Sequence, residues 1–174
     1  MKRVFTYLTA VLSLFACIKE GPTGTELVVG DMVPDFSVTM SDGSVVTGLE
    51  LSSGISCIVF FTTECPDCRQ ILPEVQKLYD EYAINGVRFA LISREDPPES
   101  VSAYWSDNGL TMPYSAQPDR KVYELFARTR VPRVYMVENG RIMTIFTDDP
   151  LPDHSALNAC LKDLTFRLTT ASVP

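Results

Sequence analysis

Two cysteines separated by two residues are the side chains of this sequence whose type and spacing best suit chemistry. Cys65 and Cys68 enclose Pro66-Asp67, directly after the apolar and β-branched run 55–61. A cysteine at the start of a helix meets unpaired backbone N–H groups and the positive end of the helix dipole, and both favour a thiolate. The spacing therefore predicts a thiol-disulfide pair in which Cys65 is the nucleophile and Cys68 resolves the mixed disulfide.

The same pair has two other interpretations, a structural disulfide and half of a zinc site. A zinc site of this type needs four ligands, but the sequence has no second CxxC and its only histidine, His154, lies far along the chain. The strand-CxxC-helix context favours redox exchange over a structural bridge. We therefore predict no metal and no cofactor.

The elements that must position the cysteines follow a βαβα pattern. Run 55–61 predicts a strand buried on both faces, and apolar residues at helical spacing after Pro66 predict a helix kinked at Pro73 that stops at Asn85-Gly86. The next elements in order are a strand at 87–92 and helices at 97–108 and 119–127. This order implies a parallel sheet with right-handed crossovers.

The C-terminal third predicts an antiparallel half of the sheet. Segments 134–137 and 142–146 flank Asn139-Gly140, and Asn-Gly is the strongest short hairpin signal. A last helix at 153–168 carries its apolar residues on one face and can cover the sheet.

The first 26 residues predict export and anchoring. Lys2 and Arg3 precede the apolar run 4–16, which is too short to span a bilayer comfortably. The run ends Leu14-Phe15-Ala16-Cys17, which resembles a bacterial lipobox, where signal peptidase cuts before the cysteine and its sulfur receives diacylglycerol. An ordinary signal peptide with an incidental Cys17 is the alternative. We expect three parts: a cleaved signal at 1–16, a lipid-anchored tether at 17–26, and one domain at 27–174.

Charge argues against a nucleic-acid partner. The 174 residues carry a formal charge of −7 from 15 basic and 22 acidic residues. Loss of Lys2 and Arg3 with the signal leaves 13 basic residues against 22 acidic ones, or about −9. Such a domain would be repelled by phosphate backbones.

The features described above, taken in their order along the chain, resemble those of a known protein family. The buried strand, Cys65-Pro66-Asp67-Cys68, the helical Pro73, and Val131-Pro132 ahead of the Asn-Gly hairpin resemble thioredoxin-like domains of the exported TlpA/ResA-like branch, over roughly Gly30 to Leu168. The resemblance implies an α/β fold with a mixed central sheet flanked by helices. It also implies that a hairpin at 36–47, which the local pattern predicts as well, is an N-terminal addition that gives the sheet extra strands.

The resemblance further implies a substrate site. In the branch, the proline matching Pro132 follows a cis peptide bond and packs beside the CxxC. The residue before it, Val131 here, offers backbone groups to an extended substrate. We therefore expect both residues to bind substrate.

The sequence differs from the proteins it resembles in the acidic residues expected near the CxxC motif. Thioredoxin buries an aspartate where this chain has Val59, and ResA-like members often carry a glutamate where it has Ile71. Glu64 replaces the common tryptophan before the motif, and Asp67 lies inside it. These two carboxylates are candidates for proton transfer or for tuning the thiol pKa, which leaves the direction and potential of exchange open.

The function implied is that of a thiol-disulfide oxidoreductase that reduces disulfides of exported proteins. Its expected partners are disulfide-containing exported proteins, an upstream thiol reductant such as a membrane thiol-disulfide reductase, and the membrane itself through Cys17. The expected location is the bacterial cell envelope, facing the periplasm.

Two other functions stay open. A peroxiredoxin-like thiol peroxidase is suggested by Thr62, three residues before Cys65, although those enzymes need a proline where this chain has Ile58. The other is a non-catalytic binding lipoprotein with a thioredoxin fold. Cys57 and Cys160 are expected to be buried small residues, with a second disulfide as the alternative.

Overall fold

A computed structural model describes residues 26–171. The predicted signal, Cys17 and all of the tether before residue 26 lie outside the described residues. The strands are β1 Ser37–Thr39, β2 Val45–Thr47, β3 Ile55–Phe61, β4 Arg88–Ser93, β5 Tyr114–Ser115, β6 Arg133–Glu138 and β7 Arg141–Phe146. The α-helices are α1 Pro66–Tyr82, α2 Pro98–Asp107 and α3 His154–Ala171, and short 3-10 turns occupy Glu50–Ser52, Ala83–Asn85 and Tyr123–Leu125.

The central sheet has five strands in the order β5-β4-β3-β6-β7. Strand β4 pairs in parallel with β3 and β5, whereas β6 pairs antiparallel with β3 and β7. This confirms the mixed sheet, with its parallel first half and antiparallel second half. The Asn139-Gly140 turn joins β6 to β7 with positive φ at both residues, as a type I′ hairpin requires.

Strand β3 lies at the centre, and all seven of its residues are buried. Successive side chains of a strand point to opposite faces, so β3 serves two cores. Cys57, Val59 and Phe61 pack in the cluster that includes α1 and α3 residues, while Ile58 and Phe60 pack among the aromatic residues of the other face. The motif that follows β3 is therefore carried by the most buried strand of the sheet.

The N-terminal hairpin is present but does not extend the central sheet. Strands β1 and β2 pair only with each other and form a separate two-stranded sheet. The hairpin lies beside the edge strand β5, where Ser41 N–H donates to the Tyr114 carbonyl at 2.6 Å and the Ser115 hydroxyl donates to the Thr39 carbonyl at 2.8 Å. Because β5 has only two residues, it offers too short an edge for a further ladder, and our expectation of added strands from the hairpin is wrong.

The prediction of a helix at 119–127 is also wrong, since only the single 3-10 turn Tyr123–Leu125 forms there. The Asp119 carboxylate accepts the backbone N–H of Lys121 at 3.0 Å, which closes a local turn at the start of this segment. Tyr123 and Phe126 are buried in the aromatic core, and one turn is enough to place both there. Helices α1, α2 and α3 match the other predicted helices within a few residues. No helix within residues 26–171 has the length and apolar character needed to cross a membrane.

Candidate active site

The CxxC motif forms the junction between β3 and α1. Cys65 caps the helix in an extended conformation with φ −80° and ψ 121°, and its sulfur accepts the Cys68 backbone N–H at 3.4 Å. Pro66 takes the first helical position, where the missing N–H leaves no bond unmade. The Cys65 sulfur therefore lies at the positive end of α1, as the sequence predicts.

The two thiols differ in exposure. Cys65 is partly exposed, whereas Cys68 is fully buried, and both are free thiols in the structure. Burial raises the pKa of the Cys68 thiol, while a hydrogen bond with the Thr62 backbone and the charge of Arg94 act in the opposite direction. Substrate can therefore reach Cys65, and Cys68 lies protected behind it in its protonated form.

Val131 and Pro132 lie beside Cys65. The peptide bond between them is cis, as the resemblance implies, and Pro132 is buried. The Cys65 thiol donates to the Val131 carbonyl oxygen at 3.6 Å. Within residues 26–171 the backbone N–H of Val131 has no hydrogen-bond partner. The residue whose carbonyl contacts the Cys65 sulfur thus has a free backbone donor.

The pre-proline loop, residues 128–131, is held by side chains from four other parts of the chain. At Arg128, the backbone N–H donates to Glu26 Oε1 at 3.1 Å and the carbonyl accepts a bond from Arg120 Nη2. Arg94 Nη1 donates to the Thr129 carbonyl at 3.0 Å, and the Tyr123 hydroxyl donates to the Arg130 carbonyl at 2.8 Å. The guanidinium groups of Arg94 and Arg120 also contact the Tyr123 ring, at 5.0 and 5.3 Å from its centre. The loop that ends at the free Val131 N–H is therefore preorganised.

Glu64 and Asp67 flank Cys65 in the sequence, and the structure leaves both near the surface. The Glu64 side chain is 86% exposed and lies 3.6 Å from Arg69 Nη2. Arg69 Nε in turn donates to the Thr63 carbonyl at 2.5 Å. Asp67 is half-buried in the first turn of α1. An exposed and paired carboxylate acts weakly on a neighbouring thiol because water screens its charge.

Sequence reasoning missed Asp96. It follows β4 and is only 5% exposed, and its Oδ2 accepts the Thr63 backbone N–H at 2.9 Å. Burial raises the pKa of this carboxyl, and the bond from Thr63 opposes that rise. The predicted parallel sheet could have indicated Asp96, because the carboxyl ends of the parallel strands β3 and β4 meet at one edge of the sheet.

Val59 and Ile71, the positions where the resemblance led us to look for an acid, are buried apolar residues of the core. Cys57 and Cys160 are free thiols; Cys57 is fully buried and Cys160 is half-buried, with its sulfur 3.4 Å from the Thr144 hydroxyl. No group of three or more histidine, cysteine, aspartate or glutamate residues in the described part of the chain could hold a metal ion.

Comparisons with known proteins agree with this geometry. The AhpC/TSA family model matches residues 29–145. The thiol-disulfide oxidoreductase ResA of Halalkalibacterium halodurans is 24% identical over 119 residues, which are 68% of each chain. A candidate peroxiredoxin of Mycobacterium tuberculosis is 30% identical over 100 residues, 56% of this chain and 62% of that one. The solution structure of a candidate protein disulfide isomerase from Bacteroides thetaiotaomicron superimposes with a TM-score of 0.72 at 23% identity, covering 80% of this chain and 89% of that one.

Proposed function

The chain belongs to the AhpC/TSA family and is a thiol-disulfide oxidoreductase, and we propose that it reduces disulfides of exported proteins through the dithiol of Cys65 and Cys68. One observation carries the proposal. A partly exposed thiol caps α1 and contacts the carbonyl of Val131, the residue with the free N–H, and a second thiol lies buried one turn behind it.

The reaction begins when the Cys65 thiolate attacks one sulfur of a substrate disulfide. A Cys65-substrate disulfide forms, the substrate S–S bond breaks, and the leaving thiolate takes up a proton. Cys68 then loses its proton and attacks the Cys65 sulfur. The Cys65-Cys68 disulfide forms and the second substrate thiol is released, so that two electrons and two protons pass from the dithiol to the substrate.

Substrate binding is assigned to Val131 and Pro132. An extended segment of substrate can accept the Val131 N–H through a backbone carbonyl, while Pro132 packs beside it as part of the same surface. Such a bond would hold the substrate disulfide over Cys65, because the Val131 carbonyl is only 3.6 Å from that sulfur. Backbone recognition of this kind accepts many sequences, which suits a reductase with several substrates.

Glu64 and Asp67 have a secondary role in this proposal. Both add negative charge near Cys65 and so disfavour its thiolate, but Arg69 offsets part of that effect through its contact with Glu64. Asp67, inside the motif, is the better placed of the two to exchange a proton with the dithiol.

We place the enzyme in the bacterial cell envelope, anchored through a lipid on Cys17 and facing the periplasm. The export pattern of residues 1–16 and the likeness to a ResA protein support this location. An upstream thiol reductant, such as a membrane thiol-disulfide reductase, must return two electrons to the Cys65-Cys68 disulfide after each cycle.

The test starts with a soluble form that begins at Ile18, equilibrated in graded thiol-disulfide buffers and trapped by alkylation for mass spectrometry. We expect a reversible bridge between Cys65 and Cys68, and reduction of insulin disulfides by dithiothreitol that is faster with the protein than without it. Reduction no faster than with dithiothreitol alone would favour a non-catalytic binding lipoprotein.

A peroxidase is the second candidate, favoured by the family match, the candidate peroxiredoxin and Thr62. Ile58, however, stands where such enzymes need a proline, and it is buried within β3 with Ala90 and Tyr135 as its neighbours in register. A proline could not be accommodated in the middle of this central strand. Rapid peroxide consumption by the Cys68→Ser variant, which retains only Cys65 of the CxxC pair, would support the peroxidase instead.

A further inference from the structure

The segment that follows β4, Arg94-Glu95-Asp96, contacts both halves of the candidate active site. All three backbone N–H groups of this segment are hydrogen-bonded. Arg94 donates to the Phe61 carbonyl at 2.8 Å, Glu95 donates to the Asp119 carbonyl at 3.3 Å, and Asp96 donates to the Gln117 carbonyl at 3.1 Å. Between the two charged neighbours, Glu95 adopts a positive φ of 63°. Only a well-anchored segment keeps a glutamate in that conformation.

Asp96 faces the cysteine turn. Its carboxylate accepts the Thr63 N–H at 2.9 Å, and the Thr63 carbonyl is held from the other side by Arg69 Nε. The residue before Thr63 offers its backbone to the Cys68 sulfur, and the nucleophile Cys65 is two residues further on. Fixing the Thr63 peptide therefore fixes the turn that presents both sulfurs.

Arg94 faces the pre-proline loop. Its Nη1 donates to the Thr129 carbonyl at 3.0 Å, and its side chain is only 15% exposed. Burial raises the pKa of the Cys68 thiol and of the Asp96 carboxyl, and the charge of the Arg94 guanidinium opposes part of both rises. One short segment thus carries a cation toward the substrate side and an anion toward the cysteine side.

We propose that Arg94 and Asp96 are positioning residues that hold the CxxC turn and the pre-proline loop in fixed relation, and that their opposite charges set the reduction potential of the Cys65-Cys68 pair. This rests on the proposed function. The carboxylate of Asp96 disfavours a thiolate and so favours the disulfide, whereas the Arg94 guanidinium favours the thiolate and so the reduced form.

Two isosteric variants separate charge from position. Asp96→Asn retains an oxygen for the Thr63 N–H and removes the negative charge, and Arg94→Gln retains a donor for the Thr129 carbonyl and removes the positive charge. The measured quantity is the equilibrium constant between the Cys65-Cys68 disulfide and glutathione, read by alkylation and mass spectrometry. We expect Asp96→Asn to shift it about threefold to tenfold toward the dithiol and Arg94→Gln by a similar factor toward the disulfide; tenfold corresponds to about 30 mV.

Matched controls are Asp107→Asn and Arg88→Gln, which neutralise exposed charges at the end of α2 and at the start of β4. Both should leave the equilibrium within about twofold of wild type, since an exposed charge is screened. Asp96→Glu and Arg94→Lys, which keep the charges, should also stay closer to wild type than the neutral variants. They serve as the second pair if a neutral variant fails to fold, as judged by thermal unfolding.

Shifts of Asp96→Asn and Arg94→Gln in the same direction, or shifts no larger than those of the controls, would overturn the proposal. So would charge-retaining variants that move the equilibrium as far as the neutral ones. A wild-type protein without a reversible Cys65-Cys68 bridge is a different result, because it would remove the proposed function itself before any variant is compared.

Discussion

The Cys65 sulfur lies 3.6 Å from the Val131 carbonyl oxygen, although 66 positions separate the two residues in the chain. Strand β3 delivers Cys65 to this point, and the antiparallel neighbour β6 begins beside it with Pro132 just before its first residue. The contact joins the proposed nucleophile to the residue whose backbone we propose as the binding site of its substrate.

The first prediction concerns the order of the two sulfurs. Cys68→Ser should trap substrate on Cys65 as a stable mixed disulfide, because the thiol of the motif that would resolve it is gone. Cys65→Ser should abolish both trapping and insulin reduction, since the remaining thiol is buried. Mass spectrometry of the protein after reaction with a disulfide-bonded peptide measures both. Trapping on Cys68 in the Cys65→Ser variant would contradict the assignment of the nucleophile.

The second prediction concerns the preorganised loop. Tyr123→Phe removes the hydroxyl that holds the Arg130 carbonyl, so we expect about 1 kcal/mol less stability and a several-fold higher KM for a protein disulfide. The rate with a small disulfide, which needs no loop, should change little. Steady-state kinetics with both substrates and urea unfolding provide the measurements.

Tyr82→Phe is the matched control, since it removes a tyrosine hydroxyl bonded to Asn158 between α1 and α3. It should lower stability by a similar amount and leave both KM values unchanged. Equal effects of the two variants on KM would mean that the loop contributes only through overall stability.

The third prediction concerns pH. Burial raises the pKa of the Cys68 thiol, so its thiolate fraction at neutral pH is small and grows about tenfold per pH unit below that pKa. Resolution of a preformed mixed disulfide should therefore accelerate as pH rises from 7 to 9. Stopped-flow measurement of substrate release tests this, and a rate independent of pH would show that another step limits resolution.

The same shift has a consequence for stability. The pKa of the Cys68 thiol is higher in the folded protein than in the unfolded chain. The protonated thiol therefore contributes its full stability at a pH below the pKa of the unfolded chain, and this contribution is lost as the pH rises toward the pKa of the folded protein. The reduced protein should accordingly lose stability in alkaline solution. The disulfide form, which has no thiol there, should lose less over the same range.

The fourth prediction concerns the remaining thiols. Cys57→Ala and Cys160→Ala, alone or combined, should leave insulin reduction and the Cys65-Cys68 equilibrium unchanged, because these residues are free thiols outside the motif. Cys57→Ala should lower stability slightly, since it empties a fully buried position. A second disulfide found by peptide mapping of the oxidised protein would contradict this view.

The fifth prediction concerns anchoring. Cys17→Ser should move the protein from the membrane fraction to the soluble fraction and abolish incorporation of labelled fatty acid, because the acyl chains on that sulfur are the proposed anchor. Wild-type protein that carries no label would leave residues 1–16 as an ordinary cleaved signal.

The sequence by itself determined the local setting of the cysteine pair. Helix capping by Cys65, the Pro66 helix start, the buried strand 55–61 and the Asn139-Gly140 hairpin follow rules that act over a few adjacent residues, and the structure has all four. These rules depend on backbone donors, side-chain spacing and allowed φ values, which neighbouring residues fix without help from the rest of the chain.

Only the tertiary structure decided which distant groups complete the site. The bond from Thr63 to Asp96 spans 33 positions and the bond from Arg94 to Thr129 spans 35. Both exist because β3 and its parallel neighbour β4 end at the edge of the sheet where the antiparallel neighbour β6 begins. Packing likewise reduced the helix expected at 119–127 to one turn around Tyr123 and kept β1 and β2 as a sheet of their own. Such outcomes depend on how surfaces far apart in sequence fill one core, and no local pattern specifies that.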